Sequence, residues 1–154
     1  MGFHLSLQTE SVEHAYPKPP LCLEVSSTVA DAVALMNEAR RGGIIVVDNE
    51  KLVGVFTERD ALRMLARGQS LDVPMADWMT KNPITLLITD TVGTAIQKMS
   101  EGGYRRLPIV DHDNRPTGAA TVSGILHFLA EHFPDIVYNL PPEPHQRTQD
   151  REGA

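Results

Sequence analysis

The chain has 154 residues, of which 42% are hydrophobic, so it is long enough for one ordinary domain or two small ones. Its formal net charge of −6 argues against a general nucleic-acid binder, because such proteins need cations to displace the counterions of the phosphate backbone. Cys22 is the single cysteine, so no intramolecular disulfide can form and a reducing compartment fits. No signal-like start and no membrane-spanning apolar run are present, and we expect a soluble, cytoplasmic protein.

The first half of the chain predicts the element order strand, helix, strand, strand, helix. These elements are a strand at residues 21–25, a helix at 29–39, strands at 44–47 and 52–56, and a helix that Thr57 opens and Gly68 ends. The order follows from alternating side chains in the first strand, helical spacing in the helices and a β-branched run in the second strand. Ser27 or Thr28 is the predicted N-cap of the first helix, with Asp31 at capping-box distance from Thr28. In the second helix, Ala61, Leu62 and Leu65 are expected to share one face.

The second half predicts the same order after a linker at residues 71–83. This linker holds a short amphipathic helix that packs Trp78 and Met79. The elements that follow are a strand at residues 84–88, a helix at 91–101, strands at 106–110 and 117–121, and a helix at 122–133. Both ends look loose: residues 1–15 form an N-terminal arm, and residues 139–154 form a proline-rich polar tail that is either solvated or laid on a neighbouring lobe.

A tandem repeat explains why the order recurs. Residues 29–36 and 44–48 are answered by similar residues 63 positions later, and residues 52–57 by residues 64 positions later, so the turn between holds one inserted residue. Each repeat of about sixty residues is near the lower limit for an adequate core of its own. We therefore predict an α/β (α+β) fold in which residues 16–70 and 84–138 are two β-α-β-β-α lobes. A ligand site is expected between related halves, because such interfaces commonly hold pockets.

Three segments carry a resemblance to a known family. Residues 54–60 read Gly-Val-Phe-Thr-Glu-Arg-Asp, residues 79–85 read Met-Thr-Lys-Asn-Pro-Ile-Thr, and residues 104–111 read Tyr-Arg-Arg-Leu-Pro-Ile-Val-Asp. With the internal repeat, they make most of the chain resemble a stand-alone pair of CBS domains, a Bateman module. The resemblance implies two lobes packed with pseudo-two-fold symmetry and a regulatory role. It implies that AMP, ADP, ATP or S-adenosylmethionine binds in the cleft between the lobes, that no cofactor is required, and that the chain forms a homodimer.

Thr57 and Asp60 are the first candidate site residues, at the start of the second helix. Taken alone, the Thr-x-x-Asp spacing is that of a helix cap, and acids suit a first turn. The resemblance instead assigns Asp60 to the two ribose hydroxyls and Thr57 to ribose or phosphate. Both roles can coexist, because free amides at a helix N-terminus also favour an anion.

Arg105 and Arg106 are the candidate phosphate contacts. Successive strand residues point to opposite faces, so the two arginines are not expected to enter one cleft together, and either can be a solvated surface residue. A guanidinium suits phosphate because its planar fork can donate two hydrogen bonds. The resemblance assigns phosphate contacts to these positions, and we favour Arg106, which directly precedes Leu-Pro-Ile-Val.

Residues 80–85 either form a plain extended linker or line the ligand. The resemblance places Thr80 near phosphate or ribose and places Ile84 and Thr85 beside the adenine, which main-chain groups can also recognise. Cys22 is the first-lobe counterpart of Thr85, and we expect it to be a small buried residue.

The second lobe departs from the family pattern. It keeps Thr121 in place of Thr57, but Gly124 stands where Asp60 is expected and cannot contact ribose through a side chain. The first lobe in turn has Gly42 and Gly43 where the second has its two arginines. This asymmetry favours one competent cleft over two.

Catalysis is not expected, because no convincing nucleophile–base arrangement, P-loop or zinc-ligand spacing is present. Residues 111–116 are acidic but lack the spacing of a calcium loop, and they fit a plain β-turn. The sequence therefore predicts a nucleotide-sensing module read by a separate effector protein. The alternative is a structural dimerisation module with a vestigial cleft.

Overall fold

The computed structural model describes residues 7–133. The helices and strands are β1 Cys22–Glu24, α1 Val29–Ala39, β2 Gly43–Asp48, β3 Lys51–Thr57, α2 Glu58–Ala66, β4 Thr80–Lys81, β5 Leu86–Leu87, α3 Val92–Gly102, β6 Arg106–Val110, β7 Pro116–Thr121 and α4 Val122–His132. Short 3-10 helices cover Val12–His14 and Met75–Asp77. The predicted tail at residues 139–154 lies outside the described residues.

Two sheets carry the repeated order. One has the strand order β1-β2-β3-β4 and the other has the order β5-β6-β7. In each, the first strand runs parallel to the next, with Leu23 opposite Val46 in one sheet and Leu86 opposite Ile109 in the other. A parallel pair needs a crossover connection, and α1 and α3 supply it. The predicted β-α-β-β-α order and the mixed α and β fold are therefore confirmed.

The predicted helix starts are also confirmed, because threonines cap them. Thr28 accepts from the Asp31 amide at 3.1 Å, and the Asp31 carboxylate accepts from the Thr28 amide at 3.0 Å, which is a complete capping box. The prediction that Ala61, Leu62 and Leu65 share one face of α2 is wrong. Ala61 is buried with Met64, whereas Leu62 and Leu65 are exposed at 65% and 54% of their surface.

The described residues divide into two compact units. The first-repeat unit contains Pro19–Leu87 and Pro108–Ala119, and the second-repeat unit contains residues 7–18, Ile88–Leu107 and 120–133. The boundaries predicted for the lobes and the linker stay predictions. No helix in the described part of the chain is both long and apolar enough to cross a membrane.

The core of the first-repeat unit lies between its helices and its sheet. The buried cluster consists of Val29, Ala32, Met36, Ile44, Val46, Phe56, Ala61, Met64 and Met75. Trp78 and Met79 pack against this cluster, as the amphipathic pattern of the linker predicts. At about 1.5–3 kcal/mol for each large apolar side chain, this burial is the main force that fixes the end of β3 against the start of α2.

The prediction of a loose N-terminal arm is wrong for residues 10–15. Val12 is fully buried, its amide donates to the Asp90 carbonyl at 2.9 Å, and the Glu10 carbonyl accepts from the Val92 amide at 2.9 Å. This segment ties into the start of α3. Its polar composition hides this role, because Val12 and Ala15 are too few apolar residues to show a period.

The buried N-terminal segment is the repeat counterpart of the linker helix, 63 residues earlier. The Met75 amide donates to the Ser27 carbonyl at 2.9 Å, as the Val12 amide does to Asp90. The 3-10 helices at Val12–His14 and Met75–Asp77 match as well. Each repeat therefore begins with a short 3-10 helix, one element earlier than the sequence predicts.

Candidate functional site

Thr57 and Asp60 form a complete capping box where β3 passes into α2. The Asp60 Oδ2 atom accepts from the Thr57 amide at 2.9 Å and from the Thr57 hydroxyl at 3.0 Å, and the Asp60 amide donates to Thr57 Oγ1 at 3.3 Å. The helix-cap interpretation of this motif is therefore confirmed. The box also fixes the rotamer of the Asp60 carboxylate, which a ligand would otherwise have to order.

The second carboxylate oxygen of Asp60 is only loosely held. Asp60 Oδ1 lies 3.7 Å from Arg63 Nη1, which is too long for a good hydrogen bond. The Asp60 side chain is 22% exposed. One oxygen thus maintains the cap, while the other keeps lone pairs that can accept from a ligand hydroxyl.

The first amides of α2 are less available than the sequence suggests. The Glu58 amide donates to the Gly42 carbonyl at 3.0 Å, and the Asp60 amide is held by Thr57. The expectation that free amides at this terminus favour an anion is wrong for these two groups. A phosphate at this helix start could therefore not use the Glu58 or Asp60 amide.

Thr80 lies on the same face of the sheet as Thr57. It is the direct antiparallel partner of Val55, and residues that face each other across such a pair share one side of the sheet. Thr57 lies two residues beyond Val55 in β3, about 7 Å along the strand from it, and points to the same side of the sheet. The exposed hydroxyl of Thr80 and the half-buried Thr57 therefore present polar groups to one surface of the first-repeat unit.

Gly54 explains how β4 comes so close to β3. A Cβ atom built on Gly54 would lie 2.6 Å from Met79 Sδ and 2.8 Å from the Thr80 carbonyl oxygen, so no larger residue fits without a shift. The glycine that opens the motif at residues 54–60 is thus a packing residue that positions Thr80.

Ile84 and Thr85 occupy the stretch before β5. Ile84 has 46% of its surface exposed, and Thr85 is half-buried. The predicted strand at residues 84–88 is shorter in the structure, where only Leu86 and Leu87 pair with β6. Ile84 therefore lies outside the strand ladder, with an apolar surface available for contact.

Arg105 and Arg106 belong to the second-repeat unit. Arg105 is exposed, and its carbonyl accepts from the Val122 amide at 3.1 Å. Arg106 begins β6 and is half-buried. The same backbone contact links Gly42 to Glu58 in the first repeat, so the arginine pair occupies the repeat position of the glycine pair. Their phosphate role stays a prediction.

A family model for the CBS domain matches the chain at residues 12–67 and again at residues 75–131. The chain belongs to the CBS domain family. Both matches begin at the buried 3-10 helices, at Val12 and Met75, which agrees with the repeat boundary seen in the structure.

Curated relatives of this CBS pair are about a third identical to it over the aligned residues. A 17.7 kDa protein of Acidianus ambivalens is 29% identical over 105 residues, which are 68% of this chain and 63% of that protein. The CBS domain-containing protein YhcV of Bacillus subtilis is 34% identical over 90 residues, 58% of this chain and 64% of YhcV. CBSCBSPB1 of Arabidopsis thaliana is 32% identical, over 60% of this chain but only 18% of its own length. The chain thus spans less than two thirds of the relatives that it matches.

Solved CBS structures are similar over nearly their whole length. The CBS domain protein PAE2072 from Pyrobaculum aerophilum, complexed with AMP, is 27% identical with a TM-score of 0.70, covering 79% of this chain and 98% of that one. The CBS domain pair of protein MJ0100, complexed with 5′-methylthioadenosine and S-adenosyl-L-methionine, is 26% identical with a TM-score of 0.69. It covers 77% of this chain and 98% of its own.

Two further residues of the CBS pair differ from or refine what the sequence suggests. Cys22 is exposed, so the prediction of a buried residue is wrong; partial desolvation and the nearby Glu24 carboxylate raise the pKa of its thiol, which keeps it protonated. Gly124 lies in the first turn of α4, and its amide donates to Thr121 Oγ1 at 3.0 Å. Among residues 7–133, no group of three or more potential ligands is placed to hold a metal ion.

The sequence motifs did not reveal one segment of the repeat, at residues 16–18. Tyr16, Pro17 and Lys18 are the counterparts of Met79, Thr80 and Lys81. The signal was present as the pair Lys18-Pro19-Pro20 and Lys81-Asn82-Pro83, spaced by the same 63 residues. It lay at the start of the first predicted lobe, outside the three segments that carry the family resemblance.

Proposed function

We propose that this CBS pair is a regulatory module that binds an adenosine-containing ligand, with Asp60 as the ribose contact. The observation that carries the proposal is the half-used carboxylate of Asp60. Its Oδ2 atom is fixed by two hydrogen bonds from Thr57, and its Oδ1 atom has only a long contact to Arg63. A carboxylate oriented in advance and left with one accepting oxygen suits a sugar hydroxyl.

The neighbouring residues support the same ligand. Thr57 and Thr80 present hydroxyls to one face, where they can meet ribose or phosphate. Ile84 offers an exposed apolar surface for a purine ring, and Thr85 adjoins it with main-chain groups that can read the base. Two relatives above 25% identity carry AMP or S-adenosyl-L-methionine and 5′-methylthioadenosine in their structures. Arg106, with Arg105 as its neighbour, is our proposed phosphate contact.

The proposed mode of action is regulatory rather than catalytic. A bound ligand shifts a conformational or assembly equilibrium only to the extent that it binds one state better, and a separate effector protein reads the shift. Conversion of a bound nucleotide to a new product would contradict this role.

A second candidate is a structural homodimerisation module. Leu62 and Leu65 favour it, because both are exposed leucines on one helix of the first-repeat unit. Exposed apolar surface of this kind marks interaction sites. A dimer is compatible with ligand sensing, so the two candidates differ only in whether a ligand binds.

Thermal shift with AMP, ADP, ATP, NAD and S-adenosylmethionine decides between them. A ligand at about a hundred times its Kd stabilises the folded state by about 2.7 kcal/mol. For a chain of this size that raises Tm by about 5–10 °C. The sensing proposal requires such a shift for at least one adenosine compound, and no shift for any of the five would leave only the structural role.

A further inference from the structure

Gly124 occupies the repeat position of Asp60, and the structure shows why no side chain stands there. A Cβ atom built on Gly124 would lie 2.6 Å from the Ala15 carbonyl oxygen and 2.7 Å from the Tyr16 carbonyl oxygen. Real Cβ atoms do not approach backbone this closely, and backbone cannot swing aside as a flexible side chain can. The main chain of residues 15 and 16 therefore fills the place that the Asp60 side chain takes in the first repeat.

The conformation of Tyr16 differs from that of its counterpart. Tyr16 has a φ of 53°, in the left-handed region that residues with a Cβ rarely adopt. Its counterpart Met79 has no positive φ; in the matching segment of the first-repeat unit the left-handed residue is Asn82, with a φ of 49°. The counterpart of Asn82 is Pro19, whose ring fixes φ near −65° and forbids that turn. The chain turns at Tyr16 instead, next to Gly124.

Side-chain contacts hold the turned segment against α4. The Tyr16 hydroxyl donates to the Glu131 carboxylate, and the Tyr16 ring packs on the His127 ring with centroids 4.1 Å apart. The buried Val12 anchors the same segment. These contacts all lie within the second-repeat unit.

We infer that residues 15–16 are an intramolecular occupant of the second repeat's ribose position, so that each chain offers one ribose-binding carboxylate. The inference about ligand number rests on the proposed function, whereas the occupancy does not. The second-repeat unit also lacks a counterpart of the Thr80 hydroxyl, because Pro17 stands in its place. Of the three residues Thr57, Asp60 and Thr80, only Thr57 has a counterpart with the same side chain, Thr121.

Amide hydrogen exchange tests the occupancy. Gly124→Ala should displace the segment and speed exchange of the Val12 amide by about five- to a hundredfold, the range for an overpacked site. The Met75 amide makes the matching bond in the first-repeat unit, and its exchange rate should not change. Ser123→Ala, on the adjacent exposed residue, is the control and should leave both amides unchanged.

A second variant keeps the test decisive if Gly124→Ala does not fold. Tyr16→Ala removes the contacts to His127 and Glu131 without adding an atom near Gly124. It should speed hydrogen exchange of the Val12 amide and leave that of the Met75 amide unchanged. An unchanged Val12 amide in a folded Gly124→Ala or Tyr16→Ala protein would overturn the occupancy.

Calorimetric titration with AMP tests the ligand number. Wild type should bind one AMP per chain, and Asp60→Ala should lose that site without revealing another. Two AMP per chain, or a full-affinity site that survives in Asp60→Ala, would overturn the inference. Absence of AMP binding by wild type would count against the proposed function, while the exchange experiment would still decide whether the segment occupies the position.

Discussion

Replacing Asp60 with alanine removes two things at once. It deletes the Oδ2 atom that accepts from the Thr57 amide and hydroxyl, and it deletes the Oδ1 atom that we assign to ribose. The sequence alone set these roles against each other, as cap or ligand contact. Because the capping box is present, a stability loss is now expected under both interpretations, and only ligand affinity separates them.

The two effects have different magnitudes. Loss of a helix cap costs about 1 kcal/mol, which lowers Tm by about 2–4 °C in a chain of this length. Loss of hydrogen bonds between a carboxylate and ribose costs about 1–3 kcal/mol of binding, or about five- to 150-fold in Kd. We therefore expect a slightly less stable protein that remains folded at 25 °C and binds AMP markedly more weakly.

Asp31→Ala is the matched control for this experiment. Asp31 closes the same capping box at the start of α1, with bonds of 3.0 and 3.1 Å to Thr28, and it is not a candidate site residue. Both variants should show similar melting shifts, while calorimetric titration should show weakened AMP binding for Asp60→Ala alone. Equal AMP affinities for the two variants would refute the ribose role and leave Asp60 as a cap.

Three further predictions use other residues. Arg106→Ala should weaken AMP by about ten- to a hundredfold and leave adenosine unchanged, because only AMP presents a phosphate; equal losses would assign Arg106 a structural role. Leu62→Glu should disrupt the proposed homodimer, and light scattering that gives 17.0 kDa for wild type at all concentrations would contradict a dimer. Asp111 accepts from the Arg115 amide, which lowers its pKa below 3.8, so it contributes stability above that pH that is lost as pH falls through the folded-state pKa. Acid melts should therefore be steeper for wild type than for Asp111→Asn, and parallel curves would exclude this linkage.

The regular elements were predictable because each carries its own local signal. The β-branched run at residues 44–47 and the threonine caps at Thr28 and Thr57 fixed strands and helix starts to within a residue or two. Strand β6 was predicted with the bounds that the structure shows, Arg106–Val110. Local chemistry alone determines these features, so no knowledge of tertiary contacts was needed.

Features that depend on distant contacts were not predictable in the same way. The N-terminal segment gains its structure from bonds between Glu10 or Val12 and residues near 90, so a window of sequence around Val12 holds no sign of it. Cys22 was misplaced for a related reason: the adjacent Leu23 packs against the buried cluster, so Cys22 points to the opposite face of β1, where it is exposed. The ligand residues were suggested only by resemblance, because capping and ribose binding demand the same Thr-x-x-Asp spacing.

Comparison of the two repeats separates scaffold from site more sharply than either repeat does alone. Leu62 and its counterpart Leu126 are exposed at 65% and 57%, and Val12 and Met75 are both fully buried. Thr57 and Thr121 cap their helices through the same bond. At these positions the chemistry or burial is kept because both repeats must build the same fold.

The positions assigned to the ligand, in contrast, differ between the two repeats. Asp60 corresponds to Gly124, Thr80 corresponds to Pro17, and Gly43 corresponds to Arg106 in the repeat. Each change removes a ligand-directed group from one repeat and none disturbs the shared element order. The asymmetry therefore favours one ribose-binding carboxylate per chain, Asp60, because Gly124 has no side chain to supply a second.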